Sequence, residues 1–557
     1  MKLSSIPQLA RNANRWGEIL TILSKYGLAD WATRLHIPFA RTLFKSSEGP
    51  ALGDLNWETR VRLVLSDLGT TFIKLGQVLS TRSDIVGPAL ALELTKLQTA
   101  APADPPDVVR ETIERELKRP IAELFAEFEE KPIASASIGQ VHRARLHDGQ
   151  WVVLKVQHAN IVLRIRTDLD ILVGLAELAE EYIPELKRYR PRAVAQEFQR
   201  MLLRELDFHR EQRNLQQFAA NFTGDDTVRF PTPFPELTTA RVLTMEMLEG
   251  TKLAETDRLR RAGVDLEDIA RRGGQLYLDM VFRDGFYHAD PHPGNLLILE
   301  DGAIGMLDCG MVGRLDEHMR EQIEMMLMAI AQRDPVQLTS IITRIGSVPP
   351  RLDRAGLNAD ITDFLFYYSA QPLDQLDLGA ALTEMMEIVR RYQIVLPAPI
   401  AMLIKVLVML EGTSRLLNPT FSLGQIIQSY RRKLMLRHLN PMRRLRRFQR
   451  FLNEVMYLGE VVPRGLLDIV EQIQSGSFDI HLEHRNLEPS VNRLVFGMIT
   501  SALFLGSSWL WSNQVPPLLF GIPVFGAAGC MLSLFLGLRL LWAIKKSGHL
   551  DRPKVEE

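Results

Sequence analysis

From Leu494 to Leu538 the chain contains no Asp, Glu, Lys or Arg, and only Ser512-Asn513-Gln514-Val515-Pro516-Pro517 interrupts the run. Each half is about long enough to cross a hydrocarbon core about 30 Å thick. The pattern predicts a transmembrane hairpin with helices over about 494–512 and 518–543. Two buried helices of a soluble core are the alternative, but so long an uncharged stretch is unusual in water. Arg493 before the pair and Lys545-Lys546 after it, against an uncharged turn, put both outer ends on the cytoplasmic side, and Arg539 can snorkel to the same interface. Membrane lipids are therefore the first expected partner.

At 557 residues the chain exceeds one compact domain, and its length suggests three or four units. A net charge of -1 gives no global attraction to nucleic acid. A local basic stretch, 430–450, is dense in Arg and Lys interleaved with Leu434, Leu436, Leu439 and Leu445. Lying just before the hairpin, it reads as a surface for anionic headgroups. Only Cys309 and Cys530 are present, in unlike contexts, so neither a disulfide framework nor a cysteine metal site is supported. The N-terminus lacks the continuous apolar run of a secretory signal.

The chemistry-bearing stretch is His288-Ala289-Asp290-Pro291-His292-Pro293-Gly294-Asn295, followed by strand patterns over 296–299 and 303–307, then Leu307-Asp308-Cys309-Gly310. A phosphoryl-transfer loop of the form H-x-D-x-x-x-x-N uses its Asp to orient or deprotonate the attacking hydroxyl and its Asn to hold a metal ion. Asp290 and Asn295 have that spacing. A further carboxylate in a D-x-G turn, beyond one hairpin, must chelate the magnesium that bridges nucleotide phosphates, and Asp308 stands there.

Upstream, Ile133-Ala134-Ser135-Ala136-Ser137-Ile138-Gly139-Gln140-Val141 precedes the strand Trp151 to Val156, which carries Lys155. Strand, small-residue turn, strand, then a strand with a late Lys is the order in which a loop covers phosphates and the Lys contacts them. Only Gly139 is a glycine here. A Cβ at Ala134 or Ala136 limits positive φ and keeps the backbone further from a phosphate than glycine would. A helix predicted over 192–220 carries Glu205, Asp207 and Glu211, with Glu205 and Glu211 both candidates to pair with Lys155. Arg241 to Met247 reads as a strand leading to a hinge at Glu249-Gly250, and a helix over about 264–284 leads into His288. Before all of this, one helical pattern runs from Asp54 to Ser80 and contains Lys74-Leu75-Gly76-Gln77; a Pro/Ala linker, 100–106, and a helix over about 107–118 follow. After Gly310 no activation segment appears, since a helical pattern begins at about His318, so a peptide substrate is disfavoured. Ala289, where a kinase usually has an Arg to grip a loop phosphate, supports this.

These stretches together resemble the UbiB family of atypical kinase-like proteins, implicated in ubiquinone (coenzyme Q) biosynthesis. The resemblance covers about residues 50–420 plus the hairpin of bacterial members. Lys74-Leu75-Gly76-Gln77 is similar to the family's K-x-G-Q motif, residues 134–140 to its alanine-rich loop and Glu205-Leu206-Asp207 to its E-x-D motif. His288 to Asn295 resembles its catalytic loop and Asp308-Cys309-Gly310 its metal-binding turn, with Cys309 where kinases commonly have Phe.

The resemblance implies an α+β, bilobal protein-kinase-like fold with an N-terminal helical extension and a C-terminal two-helix transmembrane hairpin. Expected boundaries are 1–120 for the extension, 121–250 and 251–420 for the lobes, 421–490 for the basic juxtamembrane region and 491–545 for the hairpin. It implies Lys74 and Gln77 folded over the nucleotide cleft, Lys74 near Glu205 and Asp207, and Glu211 as the better partner of Lys155. ATP or ADP with Mg2+ is the expected cofactor set, and ATPase or small-molecule kinase activity the expected chemistry. Expected partners are prenylated quinone precursors and other ubiquinone-biosynthesis proteins, with a homo-oligomer left open. The expected location is the cell inner membrane, multi-pass, with the kinase-like domain cytoplasmic.

Overall fold

The computed structural model describes residues 13–27, 55–97, 102–183, 189–369, 371, 377–419, 421–424, 426, 456, 487–519 and 522–546. The basic stretch at 430–450 lies outside the described residues. The chain divides into two compact units, Met1–Asn440 and Pro441–Glu557. The first is an α+β, two-lobed unit and the second holds a hairpin of two apolar helices.

Before the hinge come β1 (Glu127–Phe128), β2 (Ala134–Ser135), β3 (Gly139–Arg145), β4 (Trp151–Gln157), β5 (Val228–Arg229) and β6 (Val242–Glu246). All but β5 form one antiparallel sheet in the order β1-β3-β4-β6, with β2 on β3. The side-chain period of two explains why β4 reads almost continuously apolar. One face sends Val152, Leu154 and Val156 against Val109 and Ile113 of the helix Pro106–Leu117. The register aligns Val141, Lys155 and Leu243 on the other face, where Val153, Leu243 and Met245 join the main core with Phe208 and Leu215. Lys155 is the charged residue that β4 itself sends to that second face, with Arg143 and Arg145 of β3 further along it. Gly139 is fixed by close approach, because a Cβ there would stand 2.4 Å from the Val156 carbonyl oxygen.

The helix predicted over 192–220 is two helices, Pro191–Glu205 and Phe208–Asn221. Its residues are good helix formers, but Asp207 adopts an extended φ of -106° and its carboxylate accepts from the His209 N–H, which caps a new helix. Glu205 ends one helix and Glu211 lies in the first turn of the next. The helical pattern from Asp54 is likewise split into Trp57–Leu68 and Thr70–Leu79 by Gly69 at φ +92°, a conformation that glycine adopts without strain. The second of these carries Lys74 and Gln77. Gly76 packs against Leu97 and Leu65, where a side chain would collide. Asp168 of the helix Ile161–Tyr182 accepts from Thr71 at 2.6 Å and from Arg15 at 2.8 Å, tying this helix to Ala13–Lys25.

Past the hinge come β7 (Gly250–Lys252), β8 (Phe286–His288), β9 (Leu296–Leu299), β10 (Ile304–Met306) and β11 (Val312–Arg314). They form the sheet β5-β10-β9-β7 and the pair β11-β8. The helix Leu266–Leu278 continues as a π-helical turn over Asp279–Asp284 and delivers the chain to β8. Glu317–Gln332, Pro335–Ile345, Arg354–Ser369, Leu378–Arg391 and Ala398–Leu417 complete the larger lobe.

In the second unit, Leu487–Ser512 and Val524–Lys546 pack closely. A Cβ on Gly529 would sit 2.0 Å from Ser507 Oγ, and one on Gly526 would sit 2.9 Å from the Trp511 nitrogen. The missing side chains at these glycines are what permit so close an approach. The hydroxyls of Thr500 and Ser533 donate within their own helices, to Phe496 and Cys530 carbonyls, so no polar group is left without a partner by them. Leu494, Trp509, Phe525, Leu534 and Trp542 are exposed. The second helix starts six residues later than 518, because Leu518–Leu519 pairs with Ile522–Pro523 as β12 and β13 in the turn. Both helices are long and apolar enough to cross a membrane.

Candidate active site

The catalytic-loop sequence follows β8, and the Asp-Cys-Gly turn lies between β10 and β11. Ala289 N–H donates to the Met311 carbonyl, and β8 pairs with β11, so the two turns are held side by side. His288, buried in the core, fastens them. Its Nδ1 accepts from the Asp290 N–H at 3.2 Å, which leaves Nε2–H to donate to the Asp308 carbonyl. The imidazole is thereby fixed as the neutral Nε2–H tautomer. Asn214 Nδ2 donates to the Cys309 carbonyl at 3.0 Å, linking the turn to the helix Phe208–Asn221. Cys309 itself is fully buried, and burial pushes its thiol well above the usual range, so it serves packing.

Asn295 Nδ2 donates to Asp290 Oδ2 at 3.2 Å, and the Asn295 carbonyl accepts from the Leu307 N–H at 2.9 Å. The amide is thus turned so that its oxygen is the end not engaged by Asp290. Asp308 Oδ1 accepts from Gly310 N–H at 2.9 Å and stands 3.5 Å from the Lys155 ammonium. Almost half of the Asp308 side chain (49%) is open to solvent. Burial of the site opposes its charge, but Lys155, the Gly310 N–H and Lys74 more than offset this and hold the carboxyl well below the usual range.

Lys155 Nζ lies 3.0 and 2.9 Å from the two Glu211 oxygens, so the choice between Glu205 and Glu211 falls to Glu211. The break at Leu206-Asp207 is the reason: it turns Glu205 toward Lys74, with which it forms an ion pair, and lets Glu211 point at β4. Burial opposes charge on both lysines, yet the facing carboxylates raise the pKa of each. Glu211 differs, since burial and the neighbouring Asp308 outweigh Lys155 and push it up to about 7. We take Lys155 as charged and Glu211 as the group that trades a proton near neutrality. Asp207 is not brought to Lys74; it caps its helix and lies 3.9 Å from Arg213. Gln77 is half-buried on the same helix as Lys74.

The alanine-rich segment forms the β2–β3 hairpin, closed by the Ala136 N–H donating to the Gly139 carbonyl at 2.9 Å. Ile133 and Ala134 are exposed, Ser135 and Ala136 half-buried, Ser137, Ile138 and Gly139 buried. Val141 shares the face of Lys155. Gln140 does not: its side chain turns to the opposite face, accepting from Asp104 N–H at 2.6 Å and meeting His142 Nε2 at 2.7 Å. Sequence reasoning missed the support beneath this loop. His158 Nε2 donates to the Ala136 carbonyl at 2.9 Å while Nδ1 faces Asp104 at 3.2 Å. It also missed Lys405, whose lone charge in the apolar run 398–410 was the available signal.

The donor set suits magnesium in kind. Mg2+ takes hard oxygens, one or two carboxylates with the balance from phosphates and water. An Asp308 kept ionised and half open, with the free amide oxygen of Asn295 on the adjoining turn, is such a partial set, and no thiol or imidazole intrudes on it. Among the described residues no cluster of three or more His, Cys, Asp or Glu forms a complete protein cage.

Three family models match the chain: the ABC1 atypical kinase-like domain over residues 96–342, the UbiB helical domain over 361–422, and the ABC1/UbiB kinase-like C-terminal domain over 479–546. Among curated proteins the chain is similar to "Probable protein kinase UbiB" of Pseudomonas aeruginosa, 33% identical over 423 residues, 75% of this chain and 79% of that protein. It is also similar to "Uncharacterized protein in hydrogenase 1 5'region" of Clostridium pasteurianum, 31% identical over 501 residues, 88% of this chain and 93% of that one. A solved structure, "The complex structure of Rv3197-erythromycin from Mycobacterium tuberculosis", matches with 25% identity and a TM-score of 0.44, covering 64% of this chain and 90% of its own.

Proposed function

The chain belongs to the UbiB family of atypical kinase-like proteins, and from that premise we propose that it is a membrane-anchored, magnesium-dependent ATP-binding protein whose turnover supports ubiquinone biosynthesis. The observation that carries the reading is that Lys155 contacts both Glu211 and Asp308, while Asn295 holds Asp290 on the turn that His288 fastens to that of Asp308. Nucleotide lies between the alanine-rich hairpin (Ile133 to Val141) and the loops around Asp290 and Asp308. Lys155, aligned by Glu211, neutralises phosphate oxygens. Asp308 and Asn295 hold Mg2+, which when bound screens the charge between the phosphates. Asp290, steadied by Asn295 Nδ2, orients the attacking hydroxyl or water and takes its proton. Lys74 and Gln77 close the cleft, with Lys74 latched to Glu205; this leaves little room for a peptide and favours water or a small acceptor. The hairpin anchors the protein in the cell inner membrane, with the kinase-like unit on the cytoplasmic side.

The test is Mg-ATP hydrolysis by purified full-length protein. Asp290→Asn and Lys155→Ala should each abolish turnover, and hydrolysis unchanged in either sinks the assignment. A second reading, phosphorylation of a prenylated quinone precursor, draws on the same closed cleft. Labelled ATP with membrane extracts would then yield a radioactive lipid.

A further inference from the structure

Between His288 and Gly310 the chain contains no Lys or Arg. The loop that presents Asp290 therefore brings no cation of its own to the phosphoryl group that must sit beside it. Of the cleft's lysines, two are already matched: Lys74 to Glu205, Lys155 to Glu211 and Asp308. A third, Lys405, is half-buried in the helix Ala398–Leu417 and forms no hydrogen bond or ion pair with any described residue.

The placement of that helix is set by two anchors on the catalytic segment. Tyr287 Oη donates to the Pro399 carbonyl at 3.0 Å, and Thr413 Oγ1 donates to the Pro291 carbonyl at 3.5 Å. Lys405 lies on the stretch between them. Its ammonium is near enough to be drawn by Asp290 and repelled by Lys74, and burial with that repulsion lowers its pKa. Asp290 exerts a pull on it but forms no ion pair with it, and its Oδ2 accepts from Asn295 instead. An unpaired, half-buried ammonium is unfavourable unless an anion arrives to match it.

We propose that Lys405 is the cation that contacts the phosphoryl group in flight. The inference rests on the ATP-turnover reading above. In the step, the attacking oxygen forms a bond to the γ-phosphorus and passes its proton to Asp290. The bond from that phosphorus to the β–γ bridging oxygen breaks, and ADP leaves with the electron pair. Negative charge spread over the three equatorial oxygens is what a cation beside Asp290 meets, whereas Lys155, on β4, meets the phosphates that stay with ADP. A group that acts on the moving phosphoryl alone raises kcat without tightening ADP.

The experiment uses the full chain in detergent and compares wild type, Lys405→Met, Lys405→Arg and Asp290→Asn for kcat, ADP affinity and melting temperature. Lys405→Met should lower kcat about 100-fold with ADP Kd within about twofold, and Lys405→Arg should recover at least about tenfold of that loss. An independent readout uses the unmodified protein: amine labelling of Lys405, read by mass spectrometry, should fall with Mg-ADP plus vanadate and not with Mg-ADP alone. A kcat for Lys405→Met close to wild type, an ADP affinity that falls in step with kcat, or labelling indifferent to vanadate overturns the proposal. If turnover depends on Asp290 but not on Lys405, only this inference fails. If wild type neither binds nor hydrolyses ATP, the reading beneath it fails as well.

Discussion

Replacing Lys155 by Met removes the ammonium from between two carboxylates, and the structure says what Glu211 must then do. Glu211 is 4% exposed and holds its proton up to about pH 7 even with Lys155 at 2.9 Å. Without Lys155 the same burial and the same Asp308 remain, so its pKa rises further. A broken buried pair usually costs about 3–5 kcal/mol because a bare charge is left behind. Protonation removes that charge here. At pH 6 Glu211 is neutral in both proteins, and the variant should lose only about 1 kcal/mol, the worth of a hydrogen bond. The sign above that follows from linkage: an acid whose folded pKa is raised contributes stability that is lost as pH rises through that pKa. Wild type completes this loss near pH 7, while the variant goes on losing. Integrating from pH 7 to pH 8 gives an added deficit of about 1 kcal/mol. Thermal melts of the two full-length proteins at pH 6, 7 and 8 would read it as a gap widening by about 2 °C between pH 7 and 8. A gap that stays constant across this range refutes the assignment of Glu211 as the proton-trading group.

The same carboxyl makes ligand binding pH-dependent. A cation held by Asp308 cancels the like charge that helps raise Glu211, so Mg-ADP binding should release a proton and tighten as pH rises toward about 7, then level off; Glu211→Gln should flatten the profile in calorimetry. Leu154→Ala, at a fully buried position between the sheet and the helix Pro106–Leu117, should cost about 2–5 kcal/mol in denaturant titration. Gly529→Leu should drive the hairpin helices apart at Ser507 and halve the yield of membrane-inserted protein or worse, while a conservative change at exposed Phe525, to Leu, should not.

What the sequence made legible was whatever is carried by fixed spacing. Asp290, Asn295 and Asp308 have their separations dictated by two turns and one hairpin, and the uncharged run at 494–538 marks two helices long and apolar enough to cross a membrane. Less legible was anything depending on a change of direction inside good helix-forming sequence. Glu205 and Glu211 stood on one expected helix, and only the cap formed by Asp207 sends them to different lysines. The signal existed, since Asp followed by an aromatic and charged turn suits a helix start, but Arg204, Glu205 and Leu206 favour continuing the helix just as well. Gly69 is similar: a lone glycine within a helical pattern is often tolerated, and here it breaks the helix. The support of the alanine-rich hairpin by His158 and Asp104 could not be read at all, because it joins residues of the linker and the end of β4 that share no local pattern.

The most direct measurement is the quinone and precursor profile of cells whose sole copy carries Asp290→Asn. The account predicts depleted ubiquinone with an early prenylated precursor accumulating. Normal ubiquinone with that variant expressed at wild-type level would contradict it, and would leave a scaffold that needs no phosphoryl chemistry.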